Sequence, residues 1–154
     1  MTQPTSIILC STYHDPQFRL KSQLISALPK IRSIFSKLTV CCTPVTPEKV
    51  SNFLIQEDFV VVSGPRMIQV DNYKEAVKLA LDNVVSPENE KIFYIDFDRL
   101  IHWINAYPDE LTKTLYENSD VDYLHIGRTS RAFETHPSTQ KETEIIVNEL
   151  GSKI

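Results

Sequence analysis

The chain has 154 residues, 42% of them hydrophobic and 23% charged, a composition that fits one globular domain able to bury a core and excludes disordered and fibrous classes. Its formal charge of −4 argues against an extended grip on nucleic acid, which needs a basic face. No basic N-terminal region precedes a long apolar run and no stretch approaches the ~20 apolar residues of a membrane span, so the sequence reads as soluble and cytoplasmic.

Apolar strand-like runs alternate with helical spacing along the chain. Ser6 to Ser11 reads as a first strand, and Gln17 to Phe35 as a helix that Pro29 kinks or breaks. Leu38 to Thr43 is a second strand, Pro47 to Gln56 a short helix with proline in its first turn, and Phe59 to Ser63 a third strand ending at Gly64-Pro65. Asn72 to Val85 follows as a helix, Lys91 to Ile95 as a fourth strand, and Leu100 to Glu117 as helix interrupted at Pro108. Tyr123 to Ile126 reads as a fifth strand. A last helix is expected near Thr139, where Thr139 and Glu142 have capping-box spacing, with Gly151 as its C-terminal cap. Strands interleaved with helices of this length need crossover connections, so the expected fold is a single α/β domain in three layers, α/β/α, around a mainly parallel sheet.

The cysteines, Cys10 and the adjacent Cys41 and Cys42, have neither zinc-site nor disulfide spacing and read as small buried hydrophobes in a reducing compartment. The three glycines, Gly64, Gly127 and Gly151, provide neither a dinucleotide loop nor a phosphate loop. Any nucleotide phosphate must therefore be handled by side chains and a metal.

The strongest functional signal is Phe93 to Arg99, an apolar run that ends in Asp96 and Asp98. Ligands of an open α/β sheet collect at the carboxyl ends of its strands, and two carboxylates one residue apart suit a hard cation such as Mg²⁺ or Mn²⁺, which also binds phosphate oxygens. The competing reading is a helix cap at a polar turn. The other loops expected at that edge contribute Ser11, Thr12, Tyr13, His14 and Asp15; Thr43; Ser63, Gly64 and Arg66; Arg99; and Gly127, Arg128, Thr129 and Arg131. Tyr13 is a candidate to stack a base, the hydroxyls to bond base or ribose, and Arg66, Arg99 and Arg128 to take phosphate oxygens. Asp120-Val121-Asp122 repeats the acidic spacing but reads as a turn, and His102, Trp103 and His125 read as structural.

The first strand leading into Ser11-Thr12-Tyr13, the Gly64-Pro65 loop and the strand ending in Asp96-Phe97-Asp98 together resemble the GT-A fold of nucleotide-diphospho-sugar transferases. The strings from Asp96 to Trp103 and from Gly127 to Glu144 are similar to a bacterial group of that fold. The resemblance implies a Rossmann-like sheet, an Asp-x-Asp motif holding a divalent cation on a sugar-nucleotide diphosphate, and transfer of the sugar. Thr43-Pro44-Val45-Thr46 stands where many such transferases have an acidic residue, and only Glu134 and His136 are candidates for a base. The sequence thus reads as the donor-binding part of a longer protein, with Ile145, Ile146 and Leu150 available to a missing segment or to a second copy in a homo-oligomer. Two alternatives stand beside this reading. A haloacid-dehalogenase-type phosphatase also ends a strand in Asp-x-Asp, with the first Asp as nucleophile, though usually on the first strand. A non-catalytic binding module on the same fold would keep the same residues.

Overall fold

A computed structural model of the protein describes residues 6–127, 129–135 and 137–153. The chain divides into two compact units, one ending at Asp120 and one beginning at Val121.

The first unit holds β1 (Ser6–Tyr13), α1 (Lys21–Ile34), β2 (Lys37–Cys42), α2 (Glu48–Gln56), β3 (Phe59–Ser63), α3 (Gln69–Asp82), β4 (Glu90–Asp96), α4 (Phe97–Ala106) and α5 (Pro108–Glu117). Its four strands form one all-parallel sheet in the order β3-β2-β1-β4. The period-2 alternation of strand side chains divides the apolar residues between two faces. Ile7, Leu9 and Tyr13 of β1, with Leu38, Val40 and Cys42 of β2, join the main core under α1, α2, α4 and α5. Ile8, Cys10 and Cys41 face the other way and meet Ala76 and Ala80 of α3, whose small side chains let that helix lie close to the sheet. The result is a three-layer α/β arrangement of the doubly wound, Rossmann-like kind, with an entirely parallel sheet.

Several boundaries depart from the sequence pattern: β1 runs on to Tyr13, and α3 spans Gln69–Asp82 where Asn72 to Val85 was expected. α1 begins at Lys21 rather than Gln17, because the buried Asp15 carboxylate gathers the segment before it into a turn. Its Oδ1 accepts from the Arg19 N–H at 2.8 Å and its Oδ2 from the Leu20 N–H at 2.9 Å, and Phe18, just before Arg19, has φ of 55°. Pro29 does not break α1. The carbonyl it leaves without a helical donor belongs to Ile25, on the exposed side of the helix where water is available. α4 begins at Phe97, three residues before the expected start, with Asp96 at its N-cap position.

The second unit contains α6 (Ser130–Glu134) and α7 (Ser138–Gly151). The fifth strand expected over Tyr123–Ile126 does not form: residues 123–127 have no regular structure and Tyr123 is 83% exposed. A strand needs a partner's ladder, and the sheet ends at β4. His125 is accordingly exposed rather than half-buried in a strand, while the acidic repeat Asp120-Val121-Asp122 begins at the last residue of a turn and continues as a bend. The expected capping box at Thr139 is absent, since α7 starts at Ser138 with Pro137 at the N-cap position. Gly151 is the last helical residue and Ser152 the C-cap, a correction to Gly151 as the cap. Among the described residues no helix is long and apolar enough to cross a membrane.

Candidate functional site

The sheet order fixes where a crevice opens. From β1 the chain winds outward through β2 to β3, and the crossover through α3 then returns it to the other side of β1, so the direction of winding reverses between β1 and β4. Adjacent connections diverge at such a switch point, and ligands of doubly wound sheets bind outside the carboxyl ends of the strands there. Thr12 and Asp96 are register partners at this point, the last paired residues of β1 against β4.

Thr12, Tyr94 and Asp96 all project to the α3 face and form a closed triangle. Thr12 Oγ1 donates to Asp96 Oδ1 at 3.2 Å, Tyr94 OH donates to the same oxygen at 3.2 Å, and the two hydroxyls are 3.3 Å apart. Burial first, and then the adjacent Asp96 charge, push the Tyr94 phenol above its ordinary value, so it remains a donor into the alkaline range. Its ring meets the edge of Tyr73 from α3 at 5.3 Å, and Gln69 donates to the Tyr73 hydroxyl. Asp96 occupies the N-cap position of α4 yet makes no side-chain cap hydrogen bond. The simple helix-cap reading of this aspartate therefore does not hold. Its Oδ2 is 3.6 Å from Arg99 Nε, while Asp98, exposed in the first turn of α4, accepts at Oδ1 from the Arg99 N–H at 2.8 Å. The positive end of the α4 dipole lies at this same edge.

The remaining residues expected at the site separate. Ser11 is fully buried and donates from Oγ to the Ile95 carbonyl at 2.6 Å, stitching β1 to β4. Tyr13 is 1% exposed, packs against Phe97 with centroids 4.6 Å apart, and donates to Asp15 Oδ2 at 3.0 Å, so it offers no open face to a base. Asp15 is likewise structural. Ser63 ends β3 and Gly64 follows it, three strand spacings from β4, about 14 Å; they do not flank the Asp pair as the sequence suggested. Arg66 is held by Asp71 at 2.7 Å. A second polar cluster occupies the ends of β1 and β2, where His14 Nδ1 and Thr43 Oγ1 are 2.9 Å apart and Thr43 Oγ1 is 3.1 Å from Thr46 Oγ1. In the second unit Thr129 caps α6 by accepting from the Ala132 N–H, Gly127 and Arg131 are exposed, and Glu134 is paired with Lys141 at 2.9 Å. Arg128 and His136 lie outside the described residues.

The cysteines are free and buried; burial pushes the Cys10 thiol up to about 12 and those of Cys41 and Cys42 up to about 11, so they are inert at neutral pH. Tyr94 is the contributor that sequence reasoning passed over. It stands two residues before Asp96 in a strand, hence on the same face, and that spacing was the available signal. Tyr73 and Gln69 reach the site only through the packing of α3, which no local pattern announces.

No protein-family model, curated protein or solved structure matches this chain. The site must be read from its own chemistry.

Proposed function

We propose that the crevice above β1 and β4 binds a nucleotide-diphospho-sugar through a divalent cation, as the GT-A resemblance implies, and that Asp96 and Asp98 supply the protein's carboxylates to that cation. One observation carries the reading. An aspartate at a helix N-cap position makes no cap hydrogen bond and instead accepts from a hydroxyl pair at the switch point of the sheet. Among the described residues no group of three or more His, Cys, Asp and Glu side chains gathers for a metal. Mg²⁺ is commonly held by one or two carboxylates together with phosphate oxygens and water, so the proposed cation would be shared with the diphosphate. The cation would neutralise diphosphate charge; Arg99, beside Asp96, would take a phosphate oxygen, and Thr12 and Tyr94 would orient the Asp96 carboxylate. Three buried, unpaired cysteines favour a cytoplasmic setting for this chemistry.

Calorimetric titration with nucleoside diphosphates and their sugars, with Mn²⁺ and with EDTA, tests the reading. A binding component that requires Mn²⁺ and falls at least about tenfold in Asp98→Ala is the expected result. Equal binding in Mn²⁺ and EDTA, or none, overturns it.

A further inference from the structure

Beyond that crevice, the other face of the sheet carries a second concave site. A cavity of about 570 Å³ lies between the turn that precedes α1 and the exposed side of α2. That volume is within the range of small-molecule pockets. Phe18 and Phe53 line it, their rings edge to face at 5.4 Å and each resting on the main core. Lys21 Nζ stands 5.6 Å from the Phe18 centroid and 5.9 Å from that of Phe53, and Lys49 is also in the lining. The remaining lining residues, Gln17, Asn52 and Gln56, are amides. No carboxylate lines this cavity, and among the described residues neither lysine forms an ion pair, in a chain whose formal charge is −4.

We propose that this cavity binds a phosphate monoester of a flat heterocycle, the chemistry of a nucleoside 5′-monophosphate. Lysines in the lining suit a phosphate dianion, an aromatic ring face suits a flat unsaturated ring, and amides both donate to and accept from heterocycle edges. The backbone is specialised in the same place. Phe18 sits in the left-handed region, which a bulky residue rarely enters, and three hydrogen bonds to Asp15, from the N–H groups of Phe18, Arg19 and Leu20, hold it there. Strain of this kind concentrates at ligand clamps, and here it falls on a residue that lines the cavity.

The site is independent of the metal crevice, so it is tested in EDTA. The full chain is titrated with UMP, AMP and inorganic phosphate while the backbone amide resonances are followed. Saturable binding of a mononucleotide is expected, with shifts centred on Gln17, Asn52 and Phe53, and inorganic phosphate is expected to bind at least about tenfold more weakly. The double substitution Lys21→Gln with Lys49→Gln should weaken the mononucleotide about tenfold or more, Lys21→Arg should retain it, and Asp98→Ala should leave it unchanged. Circular dichroism confirms that the variants are folded. No saturable mononucleotide binding, phosphate binding as tightly as the nucleotide, or an unaltered affinity in the lysine double variant each overturns the proposal. Failure of Mn²⁺-dependent diphosphate binding, by contrast, bears only on the crevice above β1 and β4.

Discussion

Thr12 and Asp96 face each other across the β1–β4 ladder, and the 3.2 Å bond from Thr12 Oγ1 to Asp96 Oδ1 fixes the carboxylate at the point where the sheet reverses its winding. Thr12→Val keeps the shape and removes the donor. Loss of one such bond costs about 0.5–1.5 kcal/mol of stability, an effect measurable by urea unfolding. Freed from Thr12, Asp96 keeps its contacts with Tyr94 and Arg99, and Mn²⁺-dependent diphosphate binding should weaken several-fold. Undiminished binding would show that Thr12 does not position the carboxylate.

Period-2 alternation explains how much of this site was legible. Ser11, Thr12 and Tyr13 stand together in the sequence, but a strand sends Ser11 and Tyr13 into the core and leaves only Thr12 on the ligand side. The same rule marks Tyr94 as a companion of Asp96. The strand and helix alternation was sufficient for the parallel sheet, because crossover connections are compelled by it. The order β3-β2-β1-β4 was not legible, and it alone separates Ser63 and Gly64 from the Asp pair. The Tyr123–Ile126 run failed as a strand for a related reason: local apolarity does not supply a partner. Phe18 and Phe53 were read only as parts of helices, and the turn built on Asp15 that pairs them depends on hydrogen bonds no periodicity reports.

Asp15 links pH to stability. Burial opposes its ionisation, but the N–H groups of Leu20 and Arg19, the Tyr13 hydroxyl and the Gln17 N–H outweigh it and hold the carboxyl below its ordinary value. A carboxyl depressed by folding contributes stability that is present above its unfolded value and is lost as pH falls through the lower folded value. Asp15→Asn should cost about 1–3 kcal/mol at neutral pH, since an amide NH₂ would face backbone donors. The difference between wild type and variant in urea midpoint should shrink only at pH values below the ordinary aspartate range. A constant difference down to that acid range and through it would remove Asp15 from this role.

Gly64 is fixed by its neighbour. A Cβ placed there would lie 1.8 Å from Asn72 Oδ1, and Asn72 is 4% exposed, so its side chain has little room to turn away. Gly64→Ala should therefore destabilise by about 1–3 kcal/mol. Adding Asn72→Ala should recover part of the loss, giving a favourable coupling in a double-mutant cycle. Strict additivity of the two substitutions would place the cost in the backbone of the β3–α3 loop instead.

Pro29 offers the opposite test, a substitution that should stabilise. It lies inside α1 with no N–H to offer the Ile25 carbonyl, and the helix runs through it from Lys21 to Ile34. Alanine at an interior helix position is favoured over proline by about 3 kcal/mol, and the stiffer unfolded chain that proline provides returns at most about 1 kcal/mol of that. Both Pro29 and the Ile25 side chain are exposed, so Pro29→Ala removes no core contact and lets the new N–H bond to the Ile25 carbonyl. A net gain of about 2 kcal/mol follows, read as a higher urea midpoint at unchanged m-value. A loss of stability would mean that the proline ring is a packing element of α1 and that the helix does not accommodate it merely through solvation of the Ile25 carbonyl.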